Sequence, residues 1–313
     1  MITKNSMLPH IMETDMMTKD QFVAYYKSNH NEIEKQLEAI GAIKFQGVSI
    51  NNQEDFQWII DSISEKFLSY IDGNSPRTKL SGNVYTSTEY DKTQIITMHN
   101  ELSYSHQWPG KLFFSCLKVA ETGGETLLAD SRELLNVIDK SIVEEVEKKG
   151  VTYIRNLHGG MGMGPSWQNT FETEEKAQVE AYCKKLQIEF EWKADDSIRL
   201  IHKRDGIIKH RNTGVKVWFN QIDQFHPSHL GEEYYETIKL LFENPNDFPM
   251  YVEYGDGSQI EEAVVKNIIN SIESVTVAPK WDKNEILLVD NELVSHGRNP
   301  YTGDRRVLVS MSL

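Results

Sequence analysis

Apolar residues recur at helical spacing in some segments of the chain and follow strand-like patterns in others. The helical spacing predicts helices at residues 18–40, 54–71, 131–149, 173–186, 232–243 and 258–273. Alternating or nearly continuous runs of β-forming residues predict strands at 42–50, 84–88, 93–98, 112–119, 125–129, 188–192, 198–203, 206–210, 215–219, 285–290 and 306–313. Helices that precede and interrupt many short strands are typical of an α+β protein.

The strand pattern favours an α+β fold whose core is a double-stranded β-helix, a distorted jelly roll, with flanking helices. No Pro- or Ser-rich linker interrupts the chain, so residues 1–313 are predicted to form one domain. The stretch from roughly 130 to 280 is interpreted as a long insertion into the core. Within it, the Gly- and Met-rich residues 156–168 predict a loop, which is either an active-site lid or an ordinary surface loop.

Composition narrows the class of protein. Of the 313 residues, 39% are hydrophobic, but no apolar run is long enough to span a bilayer, so no membrane partner is expected. The net charge of −14 argues against nucleic acid as a partner, because phosphate binding needs clustered cations. Cys116 and Cys183 are too far apart in sequence to suggest a disulfide framework, and the polar N-terminal residues 1–19 lack a secretory pattern. A cytoplasmic location is therefore expected.

The residues whose types indicate a chemical function are His99-Asn100-Glu101 and His296. If the first three lie on a strand, His99 and Glu101 point to the same face. Two imidazoles and one carboxylate form the facial set that binds a non-haem Fe(II) and leaves coordination positions open. Arg305 and Arg306 follow on the last predicted strand, and alternation would turn only one of them inward to hold an anionic co-substrate. The sequence alone does not decide between them.

A His-X-Glu pair by itself is a weak signal, but other motifs strengthen it. They are Ser75-Pro76-Arg77, Gly82-Asn83-Val84-Tyr85, His99 to Tyr104, Gly123-Gly124-Glu125-Thr126, Trp218-Phe219-Asn220-Gln221, Tyr254 to Ser258 and Asp290 to Arg298. From about residue 75 onward the chain resembles the taurine-dioxygenase/clavaminate-synthase-like superfamily of Fe(II)/2-oxoglutarate-dependent oxygenases. It is most similar to the branch that contains the syringomycin-biosynthesis aspartyl hydroxylase.

The resemblance implies that His99, Glu101 and His296 hold Fe(II), and that O₂ and 2-oxoglutarate are co-substrates. It also implies that Thr126 and Arg306 bind the distal carboxylate of 2-oxoglutarate. Most of the superfamily has Asp at this ligand position. This chain has Glu101, and the clavaminate-synthase-like branch also has Glu there. Because halogenating relatives need that carboxylate position vacated, Glu101 favours hydroxylation, or desaturation, over halogenation.

The implied reaction is hydroxylation of an unactivated C–H bond with release of succinate and CO₂. The implied substrate is an amino acid or a derived intermediate, either free or tethered to a peptidyl carrier protein; the acidic chain mildly favours a free substrate. Asn220 and Gln221 are predicted to line the pocket, although half of their aromatic-polar cluster is expected to be core. Arg77 and Arg155 are candidates for a substrate carboxylate, and each fits a structural ion pair equally well.

Two other functions fit part of the pattern. Two His and one Glu also suit Zn²⁺, which would make the protein a zinc-dependent hydrolase, but no HExxH helix is present. A non-catalytic jelly-roll binding module is the second alternative, and retention of all three ligands argues against it.

Overall fold

The computed structural model describes residues 8–68, 71–73, 78–86 and 90–313. The strands β1 to β18 are, in order, His10–Met17, Ala42–Val48, Lys79–Ser81, Val84–Thr86, Ile96–His99, Lys111–Lys118, Thr122–Gly123, Thr126–Asp130, Val151–Leu157, Glu189–Trp192, Ile198–Arg204, Ile207–Lys209, Lys216–Trp218, Met250–Tyr254, Glu285–Asp290, Val294–Arg298, Tyr301–Thr302 and Arg306–Ser312. The helices α1 to α10 are Lys19–Ser28, His30–Ile40, Gln53–Ile63, Ser131–Val137, Lys140–Lys149, Trp167–Phe171, Lys176–Lys185, Ile222–Phe225, Glu232–Leu241 and Glu262–Val275.

Two sheets combine strands from both ends of the chain. A seven-stranded sheet has the order β1-β2-β15-β6-β18-β4-β3, and a three-stranded sheet has the order β5-β16-β8. Their apolar side chains share one buried cluster, in which Phe114 and Val309 of the larger sheet pack with Leu128 and Val294 of the smaller one. The candidate site lies where these two sheets meet.

The opposite face of the seven-stranded sheet is covered by helices α1, α2 and α3. Phe22, Leu37 and Phe56 from these helices pack with Phe45 and Phe113 from the sheet in a second buried cluster. Strands β6 and β15 are therefore buried on both faces, which explains their nearly continuous apolar sequence.

The middle of the chain adds its own layer of structure. A four-stranded sheet, β10-β11-β9-β14, and the hairpin β12–β13 are both built from residues between β8 and β15, as are helices α4 to α10. Tyr153 of β9 packs against Phe225 of α8 and Tyr104, so this sheet reaches the segment that follows His99. Across the described part of the chain, no helix has both the length and the apolar content needed to cross a bilayer.

The structure departs from the predicted elements at several places. Strands β9, β14 and β16 were not predicted, and the helix predicted at 54–71 ends at Ile63. The helix predicted at 18–40 is two helices, because the Asn29 side chain binds the carbonyl of Tyr25 and ends α1. The helix predicted at 131–149 is interrupted where the Asp139 carboxylate caps α5. Residues 10–17 form β1, parallel to β2, although their sequence gave no strand signal.

Candidate metal centre and co-substrate cavity

His99 and His296 are brought together by strand pairing. Strands β5 and β16 are antiparallel, and His296 lies directly opposite His99. Residues opposite each other in a ladder point to the same face, and the two buried rings have centroids 4.3 Å apart. The strands approach closely at Gly297, where an added Cβ would lie 2.6 Å from the carbonyl oxygen of Ile96. Residues that are distant in sequence therefore share one site.

Glu101 reaches the same site from a turn and not from a strand. Strand β5 ends at His99, and Leu102 has a left-handed backbone with φ of 56°. Such a conformation is uncommon outside glycine and is found at functional sites. Glu101 Oε2 lies 4.0 Å from His99 Nε2 and 3.8 Å from His296 Nε2. The prediction that strand alternation delivers Glu101 was therefore wrong, although the three side chains do converge.

The orientation of the His99 ring is fixed by hydrogen bonding. Its Nδ1 lies 2.9 Å from the carbonyl oxygen of Thr97, which also accepts from Gln224 Nε2 at 3.0 Å. Because a carbonyl oxygen only accepts, the Nδ1 atom carries the proton in this contact. The Nε2 lone pair then points toward Glu101 and His296. A hydrogen bond from the other ring nitrogen fixes the tautomer and orientation of metal-binding imidazoles in this way.

Asn291 holds the backbone of Glu101 in place. Its Oδ1 accepts from the Glu101 N–H at 2.7 Å, and its Nδ2 donates to the Glu101 carbonyl at 3.0 Å. The same Nδ2 donates to the carbonyl of Pro109 at 2.9 Å. The sequence places this residue in the Asp290 to Arg298 motif but indicated no role for it; the available signal was the polar pair Asp290-Asn291 immediately after the apolar run Ile286 to Val289.

The donor set suits a non-haem Fe(II). The ligand atoms of His99, Glu101 and His296 all lie within 4.8 Å of one another, and all three residues are buried. Two imidazoles and one carboxylate occupy only part of an octahedral coordination sphere and leave positions for small ligands. In the described ranges, this is the one cluster of His, Cys, Asp and Glu side chains with such spacing.

Substitution of Asn291 by alanine is expected to weaken metal binding by about 10–100-fold, because Glu101 loses the support that orients it. The free energy of unfolding should also fall by about 2–4 kcal/mol, since buried backbone groups lose their partners. Metal titration and denaturant unfolding measure the two effects. The matched control is Asn156→Ala, which removes three similar hydrogen bonds to residues outside the metal site and should lower stability only. Equal metal affinities in both variants would contradict the prediction.

Thr126 lies on β8, two residues from Leu128, which pairs with His296. Two positions along a strand correspond to about 7 Å and restore the same face, so Thr126 faces the metal site at a short distance from it. Its buried hydroxyl accepts from Trp281 Nε1 at 3.0 Å. Since Trp281 is the donor in that bond, the Thr126 O–H remains able to donate to an anion.

The structure places Arg305, and not Arg306, on the side of the site. Arg305 Nε donates to the carbonyl of Gly124 at 2.8 Å, two residues before Thr126 in the chain. Arg306 is exposed on the other face of the sheet, where it donates to Gln53 Oε1 of α3 at 2.8 Å. The assignment of the co-substrate carboxylate to Arg306 is therefore corrected, because that side chain points away from the cluster that contains Thr126.

Arg305 borders a cavity of about 270 Å³ that is also lined by Cys116, Glu125 and Trp281. Burial, with a smaller contribution from the nearby cation Arg298, lowers the pKa of Arg305 to about 10. At neutral pH the guanidinium is still charged. The cavity therefore combines a desolvated cation with the indole that contacts Thr126.

Asn220 and Gln221 were predicted to line a substrate pocket. Both are buried, and their side chains form hydrogen bonds with the protein backbone. Asn220 Nδ2 donates to the carbonyl of Gly206 at 2.8 Å, and its Oδ1 accepts from the N–H of Ile222 at 3.2 Å. Gln221 Nε2 donates to the carbonyl of Asn100 at 2.9 Å, between two metal-site residues. Both amides thus support the backbone around the site.

Arg155 forms the ion pair that the sequence offered as its alternative role. Its fully buried guanidinium binds the carboxylate of Asp72 and stacks over the Tyr104 ring at 5.4 Å. Burial raises the pKa of Asp72 to about 6, while the Arg155 charge opposes that rise. The pair leaves Arg155 poorly suited to bind a substrate carboxylate. Arg77 lies outside the described residues.

The chain is similar over nearly its whole length to a dioxygenase family and to two known proteins. The model of the taurine catabolism dioxygenase TauD, TfdA family matches residues 13–312. The dapdiamide synthesis protein DdaC of Enterobacter agglomerans is 35% identical over 304 residues, which cover 97% of this chain and 91% of the relative. A clavaminate synthase-like protein of Arabidopsis thaliana is 29% identical over 298 residues, covering 93% and 87%.

Solved structures agree in fold. The structure of asparagine oxygenase in complex with Fe(II), 2S,3S-3-hydroxyasparagine and succinate superposes with a TM-score of 0.57 and 11% identity, over 93% of this chain and 79% of that one. At this level of identity the likeness concerns the fold alone.

Proposed function

The chain belongs to the taurine catabolism dioxygenase TauD, TfdA family, and from that premise we propose that it hydroxylates an unactivated C–H bond of an amino acid or an amino-acid-derived substrate. It is an Fe(II)- and 2-oxoglutarate-dependent dioxygenase, and O₂ is its second co-substrate. The observation that carries the proposal is the convergence of two His and one Glu in a buried cluster. Family membership favours this function over a zinc hydrolase or a non-catalytic binding module.

In this proposal His99, Glu101 and His296 hold the iron. Bound Fe(II), with 2-oxoglutarate and O₂, supplies the oxidising power for the hydroxylation, and succinate and CO₂ leave as co-products. The protein keeps the two Nε2 atoms and the carboxylate aimed at one point through Thr97 and Asn291. Burial of all three side chains keeps bulk water from the site.

The distal carboxylate of 2-oxoglutarate is proposed to bind Arg305 and Thr126. Arg305 supplies a charge in a poorly hydrated place, where a charge-assisted hydrogen bond is stronger than at the surface. Thr126 supplies a hydroxyl donor whose oxygen is already held by Trp281. The two residues are linked through the same indole, which lines the Arg305 cavity.

The two sheets are proposed to form the distorted jelly roll implied by the family. Strands β4, β18, β6 and β15 would be its larger sheet, and β5, β16 and β8 its smaller one. Val277 forms a bridge to Leu128 at the open edge of β8, which is where an eighth strand would lie. The structure between β8 and β15 would then be the insertion.

The name of one relative supports an amino-acid-like substrate: the dapdiamide synthesis protein is 35% identical to this chain. The asparagine oxygenase solved with a hydroxylated amino acid, at 11% identity, shows only that this fold accommodates such a ligand. A free amino acid and an aminoacyl group tethered to a peptidyl carrier protein are both compatible with these names. We favour the free form, because the acidic chain, with net charge −14, would repel an acidic carrier.

The proposed function is tested by a substrate screen with the iron-loaded protein. Free amino acids and carrier-loaded aminoacyl groups are mixed anaerobically with protein, Fe(II) and 2-oxoglutarate, and then exposed to ¹⁸O₂. We expect at least one free amino acid to accelerate succinate formation and to gain one labelled oxygen atom in the product. Succinate formation that no compound accelerates, or acceleration by carrier-loaded groups alone, would contradict the proposed substrate.

A further inference from the structure

A group of cationic and histidine side chains lies beside the metal-binding segment and has no role in the proposed iron or 2-oxoglutarate sites. Arg204 and His202 are on β11, on the face that also carries Leu200. His106 lies five residues after Glu101. We call Arg204, His202 and His106 the Arg204 cluster.

Aromatic rings connect this cluster to the metal-binding segment. The His202 ring meets Tyr104 edge-on at 5.7 Å, and the Arg204 guanidinium lies over Trp108 at 5.0 Å. Tyr104 and Trp108 belong to the same stretch that carries Glu101. Five residues of chain span at most about 18 Å, so His106 lies within that distance of Glu101.

The buried polar atoms of the cluster lack partners. His202 is fully buried, yet neither ring nitrogen has a hydrogen bond to any described residue. Among the same residues, His106 Nδ1 and Arg204 Nε are also buried without a partner. A buried polar atom left unpaired costs about 1–3 kcal/mol, so several in one place indicate that another molecule supplies the partners.

The cluster is positive in a strongly acidic chain. Within the described ranges the Arg204 guanidinium forms no ion pair, and its acidic neighbour Asp205 is exposed. Burial holds the pKa of His202 well below its usual range, and the charge of Arg155 lowers it further. A neutral His202 offers one N–H donor, and Arg204 offers a fixed charge with several donors. These donors together suit a carboxylate, which accepts several hydrogen bonds.

We propose that Arg204, His202 and His106 bind a carboxylate group of the substrate beside the iron. The proposal rests on the proposed function, because it takes the substrate to be an amino acid. The Arg155–Asp72 pair would not compete for this role, since its charges are already matched. The carboxylate has two possible sources, the α-carboxylate of a free amino acid and the side-chain carboxylate of an acidic one.

The test measures binding and does not depend on turnover. Protein loaded with Fe(II) and 2-oxoglutarate is titrated anaerobically with the twenty standard L-amino acids, their α-amides, L-isoasparagine and L-isoglutamine. Tryptophan fluorescence is one readout, because Trp108 lies against Arg204. If an amino acid binds and its α-amide does not, the α-carboxylate is the group recognised. If an acidic amino acid and its α-amide both bind, but asparagine or glutamine does not, the side-chain carboxylate is the group recognised. Either result supports the subsite, and the absence of carboxylate-dependent binding overturns it.

Arg204→Met keeps the stem over Trp108 and removes the charge. We expect it to weaken binding of the carboxylate-dependent ligand by about 10–100-fold, the effect of losing a hydrogen bond to a charged group. The matched control is Arg199→Met, a substitution on the same strand of an arginine that pairs with Asp247 on the other face. The control should bind normally, and equal affinities for wild type and Arg204→Met would overturn the proposal.

His202→Phe separates a binding role from a structural one. Phenylalanine retains the ring against Tyr104 and removes two unpartnered nitrogens, so the free energy of unfolding should be unchanged or increased. Ligand binding should nevertheless weaken by about tenfold. Loss of stability with normal binding would mean that His202 is only a packing residue, and would remove it from the proposed subsite.

The experiment distinguishes failure of the subsite from failure of the proposed function. The affinity for 2-oxoglutarate, followed through the visible absorption of its Fe(II) complex, should be the same in Arg204→Met as in wild type. An intact 2-oxoglutarate complex with unchanged amino-acid binding rejects the subsite alone. If the wild type forms no 2-oxoglutarate complex, the proposed function itself fails.

Discussion

Replacement of His296 by alanine is expected to abolish hydroxylation, with a loss of at least about 10³-fold, and to release the iron. The remaining His99 and Glu101 would provide two protein ligands in place of three. The substitution also removes a buried ring that contacts Phe114 at 5.3 Å, so a loss of stability of about 1–3 kcal/mol should accompany it. Iron content after gel filtration, with circular dichroism to verify the fold, measures these effects.

A matched control for His296→Ala is His229→Ala. His229 is a partly buried histidine outside the metal centre, where its Nδ1 lies 2.7 Å from the carbonyl oxygen of His226. This variant should retain iron and at least half of the wild-type rate, on the order expected for a site away from the chemistry. Normal iron content in a folded His296→Ala protein would reject the proposed ligand set.

The sequence identified the three converging side chains, but only part of the reason they converge. The strands predicted at 93–98, before His99, and at 285–290, before His296, are confirmed as β5 and β15. The strand that pairs with β5 is β16, which contains His296 and was not predicted as a strand. Glu101 depends on the left-handed backbone of Leu102, a residue type that gives no signal for such a conformation. Tertiary contacts, above all those of Asn291, hold that turn in place and cannot be inferred from local spacing.

Buried polar residues explain the other differences. Asn220 and Gln221 stood out in sequence because polar residues follow two aromatic ones, but their partners are backbone carbonyls from distant segments. Arg155 pairs with Asp72, which is 83 positions away. Such residues are unusual in the sequence, but only the fold shows whether each one supports the backbone or faces a ligand.

The choice between Arg305 and Arg306 is the clearest case, because adjacent residues have opposite environments. Val307, Val309 and Met311 belong to the cluster shared with the smaller sheet, whereas Leu308 packs with the helices. Arg306 points to the helix side and Arg305 contacts the loop before Thr126. The sequence contains the alternation, but which face is inward depends on sheet packing that a single strand does not encode.

Arg305→Met is therefore expected to raise the Kd for 2-oxoglutarate by about 30–1000-fold, the range for removing one member of a buried charged pair. Arg306→Met should change it by less than about twofold, because an exposed hydrogen bond to Gln53 contributes little. Titration of the visible absorption of the anaerobic Fe(II) complex measures both values. A larger rise in Kd for Arg306→Met than for Arg305→Met would mean that Arg306 binds the distal carboxylate of 2-oxoglutarate.

A second measurement separates loss of the charge from loosening of the loop, since Arg305 also donates to the Gly124 carbonyl. If Arg305 binds the distal carboxylate, the wild type should strongly prefer 2-oxoglutarate over 2-oxovalerate, which lacks that carboxylate. The preference, expressed as a ratio of kcat/KM, should then collapse in Arg305→Met, because the variant loses affinity only for the dianion. A loosened loop would instead lower kcat/KM for both 2-oxo acids by the same factor and leave the ratio unchanged.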